Sequence, residues 1–375
     1  MKTYSITCHD CYNYGASLQA YALQAFLQRE GYEHKIIDYK PEYLSRKYKF
    51  TSLRTDEPGY KIYCYLGPLK SILALYVHRK QLKNYYRKRA FDDFTKNYLC
   101  LTQEFHSSDE IATANLDADV FIAGSDQIWN TDMENGRDPS FYMSFECDKL
   151  KKITYAASYG ISTVREEYRD FVIEQMKNIR WISVRESTGI KIARSMGFNA
   201  VQVMDPVFLL TEKEWRKLII PKKPEEKYIL LYYLGEENSL IKELTIKIAH
   251  EKGLKIYALN DGRSYSFADK NINDAGPLDF LYYISNAAFV FSTSFHATAF
   301  SLIFHRQFFV CPLVGQRNSS RMIDLLSMFN ITERYLCSSE YPFDDIDYGR
   351  VSLLLEKNIS ESKRIFLQEL SNCQK

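Results

Sequence analysis

The sequence has no uninterrupted apolar run of about 18 residues, the length that a bilayer-spanning helix requires, so no spanning segment is read from it. Its opening, MKTYSITCHD, lacks the basic-then-apolar pattern of a secretory signal, and a cytoplasmic chain is expected. Glycine (15) and proline (10) are not enriched and 46% of residues are hydrophobic, which excludes a low-complexity or disordered chain. Basic residues (49) and acidic residues (47) nearly balance at a net +2, so the chain as a whole is not a nucleic-acid binder. There is no G-x-G-x-x-G and no P-loop Gly-Lys-Ser/Thr, which argues against a dinucleotide or NTPase site. The eight cysteines are scattered, a pattern of reduced thiols rather than of a disulfide framework. Cys8 and Cys11 form a C-x-x-C, but no second pair lies at zinc-binding spacing, and no metal site is read.

What is abundant is aromatic: 29 Tyr and 23 Phe, side chains suited to cores, interfaces and carbohydrate faces. A length of 375 residues suggests two domains. Strand and helix patterns alternate through both halves. TYSIT, a helix from LQAYALQAFLQREG and HKIIDY open as a βαβ unit. Residues 42–98 break the alternation. From Lys61 to Lys96 there are nine Lys/Arg and two Asp, a basic aromatic insertion that either packs on the domain or lies on an anionic membrane surface. The pattern resumes at DADVFIAGSDQIWN and runs to VMDPVFLL; TEKEWRKLIIPKKPEEK reads as an interdomain linker. A second series follows, with strands YILLYYLG, LKIYAL, AFVFSTS and QFFVCPL, a loop over 260–277, and a last helix over 351–371. The expected fold is α/β: a Rossmann-like domain over 1–215 carrying the insertion, a second over 225–350, and a terminal helix over 351–375 set to pack back on the first domain.

Ligands of parallel sheets bind at the carboxyl ends of the strands, and that is where reactive residues cluster. Asn13-Tyr14-Gly15 opens the first helix, where free N–H groups attract an anion or a sugar oxygen, or where Asn13 is a plain cap. After the VFIA strand come Ser125, Asp126, Gln127 and Trp129: Asp126 suits a general base towards a hydroxyl, or a cap on the next element, and Trp129 suits stacking on a sugar ring. Ser158-Tyr159-Gly160 and Arg185-Glu186 end two further strands, Arg185 being placed to hold a carboxylate or phosphate, or else to pair with Glu186 or another surface acid. Asp205-Pro206 ends another and reads as a cleft residue or a turn. Ser294 and His296 lie between a strand and a helix among hydroxyls, followed by Arg317, Asn318, Ser320 and Arg321, a compact anion-binding set.

Nine strings in order resemble the polysaccharide pyruvyl transferase family: NYGASLQAYAL, FIAGSDQIWN, ITYAASYG, ISVRES, VMDPVFLL, YYLG, AGPLDFLYYISNA, STSFHATAFSLIF and RNSSRMIDLL. The resemblance covers about residues 5–335 and implies two domains similar to the B-type glycosyltransferases. It implies transfer of the pyruvyl unit of phosphoenolpyruvate onto two sugar hydroxyls with release of phosphate, without a cofactor. In that reading His296 is the general acid and Asp126 the base. Arg185, Ser158, Tyr159, Ser294, Arg317, Asn318, Ser320 and Arg321 hold the donor, while Asn13, Gln19, Gln127 and Trp129 line the acceptor side. One branch of the family has Arg two residues before the His; here that position is Ser294, so the donor's carboxylate and phosphate fall to Arg185, Arg317 and Arg321. The expected acceptor is a hexose, galactose as a 4,6-ketal, in a bacterial capsule or exopolysaccharide or its undecaprenyl-linked precursor, met at the inner face of the membrane. The rivals are a glycosyltransferase using a nucleotide sugar on the same architecture and a non-catalytic saccharide-binding protein.

Overall fold

Parallel strands covered by helices on both faces need apolar side chains at almost every position, and VFIA, YILLY and FVFS are of that kind. In the computed structural model, which describes residues 1–45, 48–50, 59–80, 84–146, 148–222, 226–234, 239–260, 263–312, 320–336 and 344–373, these runs form the centres of two parallel sheets. The first contains β1 (Lys2–Ile6), β2 (Glu33–Tyr39), β3 (Leu101–Phe105), β4 (Val120–Ala123) and β5 (Lys152–Thr154) in the order β3-β2-β1-β4-β5. A short parallel pair, β6 (Ser183–Val184) and β7 (Val201–Gln202), continues past β5 through single bridges between Ile153 and Trp181 and between Ala157 and Val184. The second sheet contains β8 (Tyr228–Tyr232), β9 (Lys255–Leu259), β10 (Lys270–Ile272), β11 (Phe289–Ser292) and β12 (Gln307–Val310) in the order β10-β9-β8-β11-β12. The two sheets therefore share one topology, a doubly wound order that reverses beside the first strand of each.

Two strands carry no apolar signature: LTQEF (β3) and KNI (β10). Both are edge strands, half-solvated and short, so the loop expected over 260–277 conceals β10 and the insertion is followed by β3. The expected linker is also more ordered than its charge implies. Thr211 and Glu214 form a capping box that starts a helix over Glu212–Leu218. Its Trp215 is fully buried, donates Nε1–H to the Val207 carbonyl at 2.9 Å, and meets Phe300 edge-on at 5.0 Å. The segment is a wedge between the domains.

The first sheet is sandwiched. Phe121 and Ala123 face the helix Glu166–Met176 through Val172 and Met176. Val120, Ile122 and Ile153 face the opposite way, against Leu23 and Phe26 of the helix Tyr14–Arg29. Phe366 and Leu370 of the last helix, Tyr348–Asn372, pack in that same layer. Phe366 lies 4.3 Å from the Tyr155 ring, and the Ser362 hydroxyl accepts from the Met204 amide at 2.9 Å. Between the domains one apolar cluster runs without a break. Tyr14 stacks on Phe280 at 4.7 Å and donates its hydroxyl to the Ala275 carbonyl. The insertion contributes to it through Phe91 and Phe94 of the helix Tyr85–Tyr98. No described helix is long and apolar enough to cross a membrane.

Candidate active site

In each sheet the crevice opens where the strand order reverses, between β1 and β4 and between β8 and β11. The loops after those strands carry Asn13–Gly15, Asp126 and His296, so the two crevices supply the polar residues from opposite sides. The neighbouring strands extend the row: Ser158 follows β5, Arg185 and Glu186 follow β6, and Asp205 follows β7.

His296 lies in the first turn of the helix Phe295–Ile303, whose cap is Ser294: the Ser294 hydroxyl accepts from the Ala297 amide. The imidazole is 7% exposed and lies directly over Gly15, in the first turn of the facing domain's helix. A Cβ at position 15 would fall 2.6 Å from His296 Cε1 and closer still to Nδ1, so only glycine admits the ring. On its other side His296 Nε2 stands 3.6 Å from Asp205 Oδ2. Asp205 is wholly buried; it accepts from Arg185 Nη1 at 2.7 Å and from the Ser125 hydroxyl at 3.2 Å. Burial alone would raise its carboxyl, but His296 and Arg185 outweigh that and hold it well below the usual carboxylate range.

Arg185 is 1% exposed, with its guanidinium 4.2 Å above the Phe295 ring. Burial opposes its charge, yet Asp205, Asp126 at 3.6 Å and Glu186 at 3.8 Å keep its pKa raised. Arg321, in the helix Ser320–Met328, makes no ion pair with a described residue; burial, then the nearby Arg185 charge, push its pKa down to about 10. Among the described residues five buried polar atoms here have no hydrogen-bond partner: Arg185 Nε and Nη2, Glu186 Oε2, His296 Nε2 and Arg321 Nε; all but Arg321 Nε face an opposite charge at 3.6–3.8 Å. Unmet buried donors and acceptors cost roughly 1–3 kcal/mol each, and their gathering at one place marks where a polar ligand belongs.

Next to this cluster is an open cavity of about 530 Å3, lined among others by Cys11, Asn13, Asp126, Gln127, Asn135 and Arg137. Asp126 joins the two, 16% exposed, with its backbone in the left-handed region at φ +69°. Asn13 caps the first helix, its Oδ1 accepting from the Gly15 and Ala16 amides, while its position on the cavity wall keeps it within reach of a ligand. Burial pushes the Cys8 and Cys11 thiols up, which makes them poor nucleophiles.

Several expected roles need correcting. Trp129 cannot stack on a sugar: it is fully buried, donates to the Phe141 carbonyl at 3.2 Å and stacks on Tyr142 at 5.5 Å. Gln19 is equally enclosed, with Nε2 bonded to Thr7 Oγ1 and the Ala16 carbonyl and Oε1 accepting from the Ser125 amide. Tyr159 points into the core, its hydroxyl on Met176 Sδ. Ser158 donates to Glu186 Oε1, so it braces that carboxylate rather than facing a donor. Arg185 is engaged by Asp205 and is not the free anion clamp expected of it. Arg317 and Asn318 lie outside the described residues, as does the side chain of Ser320. Gln127 lines the cavity, with its Oε1 accepting from Asn130 at 2.9 Å. Glu186 enters the sequence reading only as a pairing acid for Arg185, and Asp205 only as a cleft residue or a turn, not as members of one cluster with His296. Their signal was present in the Arg-Glu and Asp-Pro that end β6 and β7, but nothing in the letters says that the two strand ends meet.

Among solved structures the chain is similar to UDP-GlcNAc 2-epimerase from Neisseria meningitidis bound to UDP-GlcNAc, at 11% identity and a TM-score of 0.46 over 99% of this chain and 100% of that one. It is also similar to an alpha-glucosyltransferase in complex with UDP and DNA (10%, 0.46, 99% of each chain). A third is the E. coli heptosyltransferase WaaC (10%, 0.36, 83% of this chain and 88% of that one). Likeness at this level says nothing about ligand or reaction. No curated protein matches the chain. The family model for polysaccharide pyruvyl transferase matches residues 13–312, a span that holds Asn13, Gly15, Asp126, Arg185, Asp205 and His296, and the chain belongs to that family.

Proposed function

We propose that the chain transfers the pyruvyl unit of phosphoenolpyruvate to two hydroxyls of a hexose, galactose as its 4,6-ketal, within a surface polysaccharide or its lipid-linked precursor. The reading rests on the buried polar atoms left unmet around His296 and Arg321, beside a cavity wide enough for a sugar. Protonated His296, steadied by the Asp205 carboxylate 3.6 Å away, gives its proton to the methylene carbon of the donor, so that C2 becomes oxocarbenium-like. One sugar hydroxyl attacks C2 and gives its proton to Asp126. The C2–O bond to phosphate then breaks, phosphate leaves with the proton held by Asp126, and the second hydroxyl closes the ketal while its proton restores His296. The donor's negative charge is met by Arg321 and by the partly unsatisfied Arg185.

The test is mass analysis of candidate saccharides after incubation with the protein and phosphoenolpyruvate, together with assay of released phosphate. A pyruvylated acceptor and its loss in His296→Gln support the reading. Thermal stabilisation by UDP- or CMP-sugars but not by phosphoenolpyruvate would overturn it in favour of glycosyl transfer, because only a ligand of the native state raises the melting point.

A further inference from the structure

Of the fourteen exposed large apolar side chains among the described residues, eight fall between Ile62 and Tyr86. Five of them, Ile62, Tyr65, Leu69, Ile72 and Tyr76, recur at alternating steps of three and four, the spacing of one helical face. That face is made by the helices Tyr60–Tyr65 and Lys70–Val77 with the turn Gly67–Leu69 between them. The opposite side turns inward: Ala74 is fully buried, and His78, just after the second helix, bonds the Phe50 carbonyl through Nδ1. No Asp or Glu occurs from Gly59 to Phe91. Lys61, Lys70 and Arg79 flank the stripe and form no ion pair among the described residues; Lys70 and Arg79 lie over the rings of Tyr63 and Tyr76 at 5.5 and 4.4 Å.

We propose that this face docks on a bilayer surface containing anionic lipid. Tyr, Ile and Leu side chains reach the acyl boundary while unpaired cations beside them meet the headgroups. Charge decides between this occupant and a second copy of the chain. A symmetric pairing would press together two copies of helices that carry Lys and Arg but no acid of their own, whereas an anionic bilayer complements them. The element that follows the face in the chain reaches the site. It is the helix Tyr85–Tyr98, whose Arg87 donates to the Tyr12 carbonyl at 3.1 Å and covers the Tyr14 ring at 4.7 Å, on either side of Asn13. Docking would thus bring the acceptor cavity to the membrane, although the docking itself does not depend on which group is transferred.

The full chain is tested by flotation with phosphatidylcholine vesicles, with and without phosphatidylglycerol, at low and high salt. Binding only to the anionic vesicles, released by salt, is expected. Each Lys or Arg is worth roughly a factor of five at such a surface, so Lys61→Glu/Lys70→Glu/Arg79→Glu should weaken partitioning on the order of a hundredfold or more. Tyr65→Ser/Ile72→Ser should weaken it at least tenfold. Both variants alter exposed side chains, save Lys70, which is half-buried, and should keep the parent melting temperature and its phosphate release with a soluble acceptor. The proposal is overturned if the parent chain ignores anionic vesicles at low salt, or if the charge-reversed variant binds as the parent does. It is equally overturned if the parent is a dimer that Tyr65→Ser/Ile72→Ser dissociates, which would give the face to a second copy.

Discussion

Replacing Gly15 by Ala adds one methyl group, and the structure says what that methyl meets. The new Cβ would sit 2.6 Å from His296 Cε1 and closer still to Nδ1, against an ordinary carbon contact of about 3.5 Å, so the imidazole has to retreat by at least about 1 Å. The ring is hemmed in by Asp205 on one side and by its own helix on the other, so the retreat breaks the present alignment of Nε2 with the carboxylate. A displacement of this size in a catalytic group costs on the order of a hundredfold in rate. Stability should respond far less. Alanine gains about 1 kcal/mol of helix preference over glycine, which offsets much of the repacking. The expected result is a hundredfold or greater fall in phosphate release from phosphoenolpyruvate and acceptor, a melting temperature within a few degrees of the parent, and a shifted NMR signal of the His296 ring. The double variant is decisive: if Gly15→Ala acts only through His296, adding it to His296→Ala should cost nothing further. Parental turnover in Gly15→Ala, or a full additional loss in the double variant, would refute the assignment of His296 as the proton donor packed on that glycine.

Trp129→Phe removes a buried indole hydrogen bond and part of the overlap with Tyr142; a loss of about 1–3 kcal/mol in urea unfolding is expected, with the acceptor KM unchanged, whereas a raised KM would return Trp129 to the sugar site. Phe366→Ala empties the layer beneath the last helix and should cost about 3–5 kcal/mol, read in the same assay. His34 is buried between the hydroxyls of Thr3 and Ser5, and its burial pulls its pKa down from 6.5 to about 3. The unfolded chain therefore binds the extra proton, so its contribution is complete above pH 6.5 and declines by up to about 1.4 kcal/mol per pH unit as the pH falls towards 3. Unfolding measured from pH 7 to pH 4 should show a shallower decline in His34→Asn; identical slopes would show that the imidazole is not held neutral.

The alternation of strands and helices was legible because the central strands are continuous apolar runs. The edge strands β3 and β10 were not, since half-solvated backbone leaves no such run. The same limit applies to the site. His296, Asp126 and Asn13 could be singled out because each follows an apolar strand and opens a polar loop. Trp129 and Gln19 occur in the same strings as those residues, but a side chain's direction depends on what packs above the loop. Phe141 and Tyr142 claim the indole, and Ser125 claims the amide. Arg185 was read as a holder of the donor's anion; it lies beneath the site because Asp205, twenty positions later, returns to its side in the loop after β7. Long-range pairings of that kind are written in the fold, not in local spacing.

The apolar cluster that passes unbroken from Tyr14 and Leu18 through Trp215 to Phe280 and Phe300 gives the molecule a single thermal fate. Each half also has a core of its own, but opening either one exposes its share of that common interior. Heating should therefore give one calorimetric peak whose van't Hoff and measured enthalpies agree, and a cut within 219–227 should release fragments that aggregate rather than two separately soluble proteins.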